Sequence, residues 1–319
     1  MSNRILLQIL LIVALAAGAA SCRAPYPYSQ RSADEIYADA GIDIENGNGS
    51  GAMAKLNYLR DRHATFPDQE GVDFRFVEAK KLNEDYWNAF EDLREFLQKY
   101  RVTTRHAKSE ELLFELGTTL LQSTSSLLGL GIARESDDGV LVLEYLREQF
   151  PNSRYGDEAL RRMAQYRFES RDYQGAIRDY ELILKVYPGS QWRDLAEYRI
   201  AIAHLRGQKR PDLDQSELLK ARESLQNYLL SRPEGVRLDE AKAALRETEE
   251  KLAESEYKIG EFYRVVEQPF GAALHYKNAI VTYPGTEYAA RAEERLAQMP
   301  AHIEPAPAKY PVKNEQSAP

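Results

Sequence analysis

A single cysteine, Cys22, stands in 319 residues, and it needs an explanation of its own. The five histidines, His63, His106, His204, His275 and His302, are isolated, with no His-x-x-x-His or Glu-x-x-His spacing to hold a metal. No nucleophile stands out. The stretch Gly-Leu-Gly-Ile-Ala from Gly129 imitates part of a dinucleotide loop, yet it follows a helical Ser/Leu run instead of a strand and reads as a turn between helices. These absences leave no catalytic centre and imply no cofactor. A basic face is also lacking: 42 Lys and Arg stand against 50 Asp and Glu, a net charge of −8, which argues against a nucleic-acid partner. The apolar run Ile5–Ala17 is shorter than the roughly 20 residues a membrane-crossing helix needs.

That run, behind the lone charge of Arg4, reads as the core of a signal peptide over residues 1–21. Gly18, Ala19, Ala20 and Ser21 then lead into Cys22. The arrangement resembles a bacterial lipobox, although Ala19 occupies the position usually held by Leu. The resemblance implies cleavage before Cys22 and addition of palmitate-type acyl chains, which hold stably to a membrane when two or more are present. Arg23, where Asp would retain the protein in the inner membrane under the rule of one bacterial group, points to the outer membrane. Removing residues 1–21 takes away Arg4 and no acid, so the mature charge becomes −9. Residues 22–33 read as an extended tether, and the Pro-rich residues 299–319 as a disordered tail.

Between Ala33 and Met299, Leu, Ala and Tyr recur at three- and four-residue spacing without the alternation of strands, so the fold is expected to be all-α. Punctuation near Pro67, Tyr100, Pro151, Pro188, Pro233 and Pro284 divides the chain into units, spaced 37, 45 and 51 residues apart from Pro151 onward. The last unit carries the tetratricopeptide pattern: Ile259, Gly260 and Tyr263, then Ala272, Tyr276 and Ala279, then Pro284. Gly260 and Ala272 are small where two helices cross, Tyr263 and Tyr276 fill the layer between helix pairs, and Pro284 stops the second helix. Ala164, Ala176 and Tyr180 repeat the pattern before Pro188; Ala89, Gly139 and Ala221 take the small position in more worn units. The expectation is a tetratricopeptide-repeat α-solenoid over residues 34–298, with about five to six helix pairs. The apolar stretch Leu120–Ala133 reads as buried.

Such repeats present a groove lined by the first helix of each pair. In the two clearest units the groove-facing positions are Glu158, Arg161, Gln165, Phe168 and Glu169, and Glu254, Tyr257, Glu261 and Arg264. Charge mixed with a few aromatics suits an extended polypeptide or a partner's loop.

A lipobox followed by these repeats resembles the BamD family, the lipoproteins of the outer-membrane β-barrel assembly machinery. Three stretches carry the likeness: residues 150–192 with their YP-G/N-S turns, the Asp/Gln-rich loop of 210–230, and the long helical run 239–263. It covers residues 150–298 well and the amino-terminal third poorly, with extra repeats in front and an incomplete final pair. The resemblance implies a non-catalytic subunit on the periplasmic face of the outer membrane, lipid-anchored, that binds the barrel insertase, other assembly subunits and unfolded outer-membrane proteins. The alternative is a lipoprotein scaffold linking the outer membrane to peptidoglycan, division or polysaccharide-export machinery.

Overall fold

The computed structural model describes residues 28–128, 137–208, 214–235 and 237–300. The signal peptide, Cys22, the Gly129–Ala133 stretch and the Pro-rich tail from residue 301 lie outside the described residues. These hold thirteen helices and no strand, an all-α tetratricopeptide solenoid. The chain parts into two compact units between Leu120 and Leu121.

The first unit holds α1 (Ala33–Glu45), α2 (Gly49–Arg62), α3 (Gln69–Leu82), α4 (Tyr86–Lys99) and the start of α5 (His106–Leu128). α1 packs on α2, α2 on α3 and α3 on α4, and α3 also touches α1, the pattern of stacked helix pairs. Ile36, Ala40, Leu56, Leu59, Val72 and Phe76 form its core. Ser32 starts α1 through a capping box with Glu35, which satisfies two backbone N–H groups that the helix cannot.

The second unit holds α6 (Asp138–Gln149), α7 (Gly156–Glu169), α8 (Tyr173–Val186), α9 (Arg193–Gly207), α10 (Ser216–Ser231), α11 (Leu238–Val265), α12 (Pro269–Thr282) and α13 (Glu287–Ala297). The long run predicted from sequence is the 28-residue α11, about 42 Å at 1.5 Å per residue. It packs on α10, α12 and α13 and touches α9, so one rod serves two layers. Among the described residues one helix follows Pro284, α13, which packs on α11 and α12.

Four turns inside helix pairs are built alike. The second residue after the first helix, Gly47, Glu84, Arg171 or Glu267, takes a left-handed φ between 55° and 75°. The N–H of the following residue reaches back across the turn: Asn48 to Asp43, Asp85 to Lys80, Asp172 to Arg167 and Gln268 to Tyr263, all between 2.7 and 3.0 Å. This is the Schellman closure, which normally favours glycine at the left-handed position, and three of the four turns place a charged residue there. Asn48 and Asp172 then cap the second helix through their side chains. At the ends of α6, α8, α10 and α12, Phe150, Tyr187, Arg232 and Tyr283 leave helical geometry directly before proline.

The packing reading of the last unit holds at Gly260 and Ala272. Tyr276 is fully buried, and a Cβ added at Gly260 would lie 2.6 Å from its ring. Tyr263 differs from expectation: it is half-buried and lies face to face with His275 at 5.4 Å, packing within its own pair because Gly271 opens the space beneath it. In the Leu120–Ala133 stretch, Leu121 is buried, while the side chains from residue 123 onward lie outside the described set.

Gly260→Ala is expected to lower stability by about 1–3 kcal/mol through overpacking. Combining it with Tyr276→Leu recovers part of the loss, as a thermal-melt double-mutant cycle will show; strict additivity refutes the contact. Glu84→Gly relieves a left-handed residue and should raise stability by up to about 1 kcal/mol, read from the denaturation midpoint.

Candidate protein-binding surfaces

The residues assigned to the groove on α7 form a continuous polar chain along the helix. Arg161 donates two bonds of 2.6 Å to Glu158, and Arg162 donates one of 2.7 Å. Arg161 also reaches Gln165 at 2.9 Å, which in turn donates to Glu169. The guanidinium of Arg161 covers the Trp192 ring at 4.5 Å, and Arg199 covers Phe168 at 5.1 Å. Burial opposes the ionisation of Glu158, but the bonds from Arg161 and Arg162 outweigh it and hold its carboxyl below the ordinary range. Most of this face is therefore spent on bonds within α7 and on the two ring contacts with Trp192 and Arg199, with Glu169 left exposed.

On α11 the assigned positions meet α13. Tyr257 packs against Tyr276 and Tyr288, and Arg295 from α13 donates to the Tyr257 hydroxyl at 3.3 Å. Glu261 is bound by Arg264 at 2.9 Å, by the Tyr276 hydroxyl and by Arg295 at 3.0 Å. Glu254 takes Lys258 at 2.7 Å and the Tyr288 hydroxyl at 3.2 Å. Of the four, Arg264 stands most open to solvent.

Three surfaces were not assigned from sequence. In the first unit, α1, α3 and the start of α5 border an open pocket of about 250 Å³ whose lining includes Tyr37, Phe74, Arg75, Arg105 and Lys108 together with the acids Glu45 and Glu78. Arg75 lies 3.7 Å over the Tyr37 ring and donates to the Tyr37 carbonyl. Arg105 pairs with Glu70 at 2.9 Å, and Lys108 with Glu78. Burial, with the bond it donates to Asp68, pushes the Tyr37 hydroxyl up to about 12. In the second unit, α8, α9 and α10 bound a wider groove of about 670 Å³ with Leu184, Ile200, Tyr228 and Leu230 in its wall. The outer side of the last pair is the third: Phe262, Val265, Val266, Phe270, Leu274 and Val281 are all exposed. A basic run free of acids, Lys99 to Lys108, was the sequence signal for the first pocket.

No group of three potential metal ligands occurs among the described residues, and none of their helices is long and apolar enough to cross a membrane. The family profile described as "YfiO: Outer membrane lipoprotein" matches residues 29–168 and 142–304. The chain belongs to this family. The YfiO match takes in the amino-terminal repeats as well as the carboxy-terminal ones, so the whole helical array is accounted for. A search of curated proteins gave no match. Among solved structures, a tetratricopeptide repeat protein from Parabacteroides merdae is similar at 17% identity, covering 83% of this chain and 97% of that one, with a TM-score of 0.35. The C-terminal part of a repeat protein from Cytophaga hutchinsonii is similar at 13% identity, covering 80% and 98%, with a TM-score of 0.29.

The acid pairs on α11 give a pH dependence. Lys258 draws Glu254 below the ordinary carboxyl range; for Glu261, burial opposes ionisation and Arg264, Tyr276 and Arg295 outweigh it. A lowered folded value contributes stability that is complete above the unfolded value of about 4.3 and is lost as pH falls through the folded one. Melting temperature should fall on acidification from about pH 6 to pH 3. Glu261→Gln should flatten that slope, and an unchanged slope would show that Glu261 contributes nothing to it.

Proposed function

We propose that this YfiO-family lipoprotein is a non-catalytic scaffold subunit that helps fold and insert β-barrel proteins at the outer membrane. Acyl chains on Cys22 tether it to the periplasmic face. The observation that carries the reading is the pocket on α1, α3 and α5, where Tyr37 and Phe74 form an apolar floor beside Arg75, Arg105 and Lys108. Its volume of about 250 Å³ accepts one large side chain of an extended segment, and Arg75, Arg105 and Lys108 set against Glu45 and Glu78 offer both signs of charge to that segment's polar groups. An unfolded barrel strand offers such side chains at every second position. The exposed apolar side of the last pair supplies a second surface, suited to a folded partner such as the periplasmic domains of the barrel insertase. Glu169 and Arg264 are the groove positions left for direct contact. The mechanism is multivalent binding: the anchor and two protein contacts raise the local concentration of substrate beside the insertase without chemistry.

Mild-detergent affinity purification from the native host, with mass spectrometry, tests this reading. The full-length chain is expected to bring down a barrel protein with periplasmic domains, and Cys22→Ala to bring down less. Lys108→Gln, which removes the cation without setting a second acid against Glu78, should reduce recovery of unfolded barrel proteins about tenfold, or about 1.4 kcal/mol, with melting temperature lowered by no more than the loss of one exposed ion pair. Recovery of peptidoglycan-binding or division proteins and no barrel protein would transfer the assignment to the envelope-linking scaffold.

A further inference from the structure

The ends of the helices in the first unit define two edges. At one lie the start of α1, the α2–α3 connection and the α4–α5 connection; at the other lie the tight turns at Gly47 and Glu84. Ring contacts and hydrogen bonds knit the first edge into one surface. Tyr28 meets Tyr58 edge-on at 5.6 Å, and Tyr58 meets His63 at 5.8 Å. Gln69 donates to the carbonyls of Ala64 and Phe66, at 3.2 and 2.9 Å. Arg105 pairs with Asp68 and Glu70, and Thr103 donates to Glu70.

The projecting part of this edge is the α4–α5 loop. Val102 is 95% exposed, the most open of the exposed large hydrophobic residues among those described. Its neighbour Arg101 is exposed and makes no ion pair among the described residues. An apolar side chain held wholly in water at a loop tip stabilises nothing in the unit itself. Pro67 and Ala64 are exposed on the adjacent connection.

We infer that this edge rests on the lipid bilayer, with Val102 inserted at the level of the headgroups. The inference rests on the lipid anchor proposed above and adds an orientation to it. Tyr28 follows Cys22 by only six positions, so an extended chain lets Tyr28 lie no more than about 21 Å from the acylated end. The opposite edge is a further 20 Å or so away, the length of the 13-residue α1. Turning that edge to the bilayer would consume the entire reach of the tether, whereas the Tyr28 edge meets the surface with the tether slack. Arg23 and Tyr26 in the tether, with Tyr28 at the edge, are residue types that favour the interface between water and hydrocarbon. Asp34, Glu35 and Asp61 are exposed nearby and offset the cations, so the contact is apolar and aromatic in kind and is predicted to resist salt.

Because acylation blocks Cys22, an introduced cysteine is the one free thiol. Full-length acylated Val102→Cys and Asn46→Cys, each carrying an environment-sensitive dye, are bound to vesicles of phosphatidylethanolamine and phosphatidylglycerol that contain a headgroup-labelled quenching lipid. Quenching at position 102 is expected to exceed that at position 46 by about threefold or more, as shallow insertion within about 10 Å of the headgroups requires, and to persist in high salt. Protein that floats with the vesicles but is quenched equally at both positions, or more at position 46, overturns the orientation and leaves the anchor standing. Protein that neither floats nor carries an acyl mass on Cys22 overturns the anchor and the orientation with it.

Discussion

The solenoid depends on backbones coming close enough for a tyrosine ring to lie where a neighbouring residue has no side chain. Gly260 admits the ring of Tyr276, Gly271 admits Tyr263, and Gly156 admits the hydroxyl end of Tyr187. Each contact exchanges the helix-weakening effect of glycine, about 1 kcal/mol relative to alanine, for burial of aromatic surface, complete at Tyr276 and partial at Tyr187 and Tyr263. The exchange also fixes register. A ring fitted over a gap cannot slide by one residue without meeting a Cβ, so each pair has one crossing point. Alanines at positions 89, 164, 176, 221 and 272 serve the same approach with less room to give.

Between pairs the apolar core continues, as where Leu205, Leu225 and Leu252 share one cluster, and polar contacts are added at its margin. The seams from α7 to α9, from α9 to α11 and from α11 to α13 are joined by Arg161 over Trp192, Arg206 with Glu247, and Arg295 with Glu261. Asp179, 4% exposed, is held by Arg167 from the partner helix of its own pair, while Glu144 binds the same arginine from α6. Such pairs contribute little net stability when exposed and are costly to break when buried. Their value lies in direction: a guanidinium fork accepts few geometries, so each layer is set on the next at a fixed angle. The consequence for binding is that much of the groove wall is already satisfied, which leaves ligand contact to the few positions not spent on stacking.

The scaffold was legible because its signals are local. Tyr-Pro-Gly stops, alanines at helical spacing and the long charged run of α11 each lie within a short window. Two things were hidden. The left-handed turns at Glu84, Arg171 and Glu267 carry no glycine to announce them, because the closure bonds hold the conformation against its steric cost. The pocket of the first unit draws on Tyr37, Phe74, Arg75, Arg105 and Lys108, residues from three helices that no spacing relates. The groove positions on α7 and α11 were read from helix phase alone, and phase cannot tell a face turned to solvent from one covered by the following layer.

Rigidity within the second unit follows from α11. Its first half completes the layer of α9 and α10, and its second half opens the layer of α12 and α13. A connection through a loop would let the last pair swivel; a continuous helix of about 42 Å does not. The outer side of α12 and the groove bounded by α10 are thereby kept at a constant separation. Two weak contacts at a fixed spacing cooperate only when the partner presents its own surfaces at that spacing, since a mismatch must be accommodated by strain in one chain or the other. A folded, rigid partner meets that condition on this unit, and an unfolded chain has no spacing to match; the function proposed above therefore assigns substrate capture to the first unit and partner docking to the second.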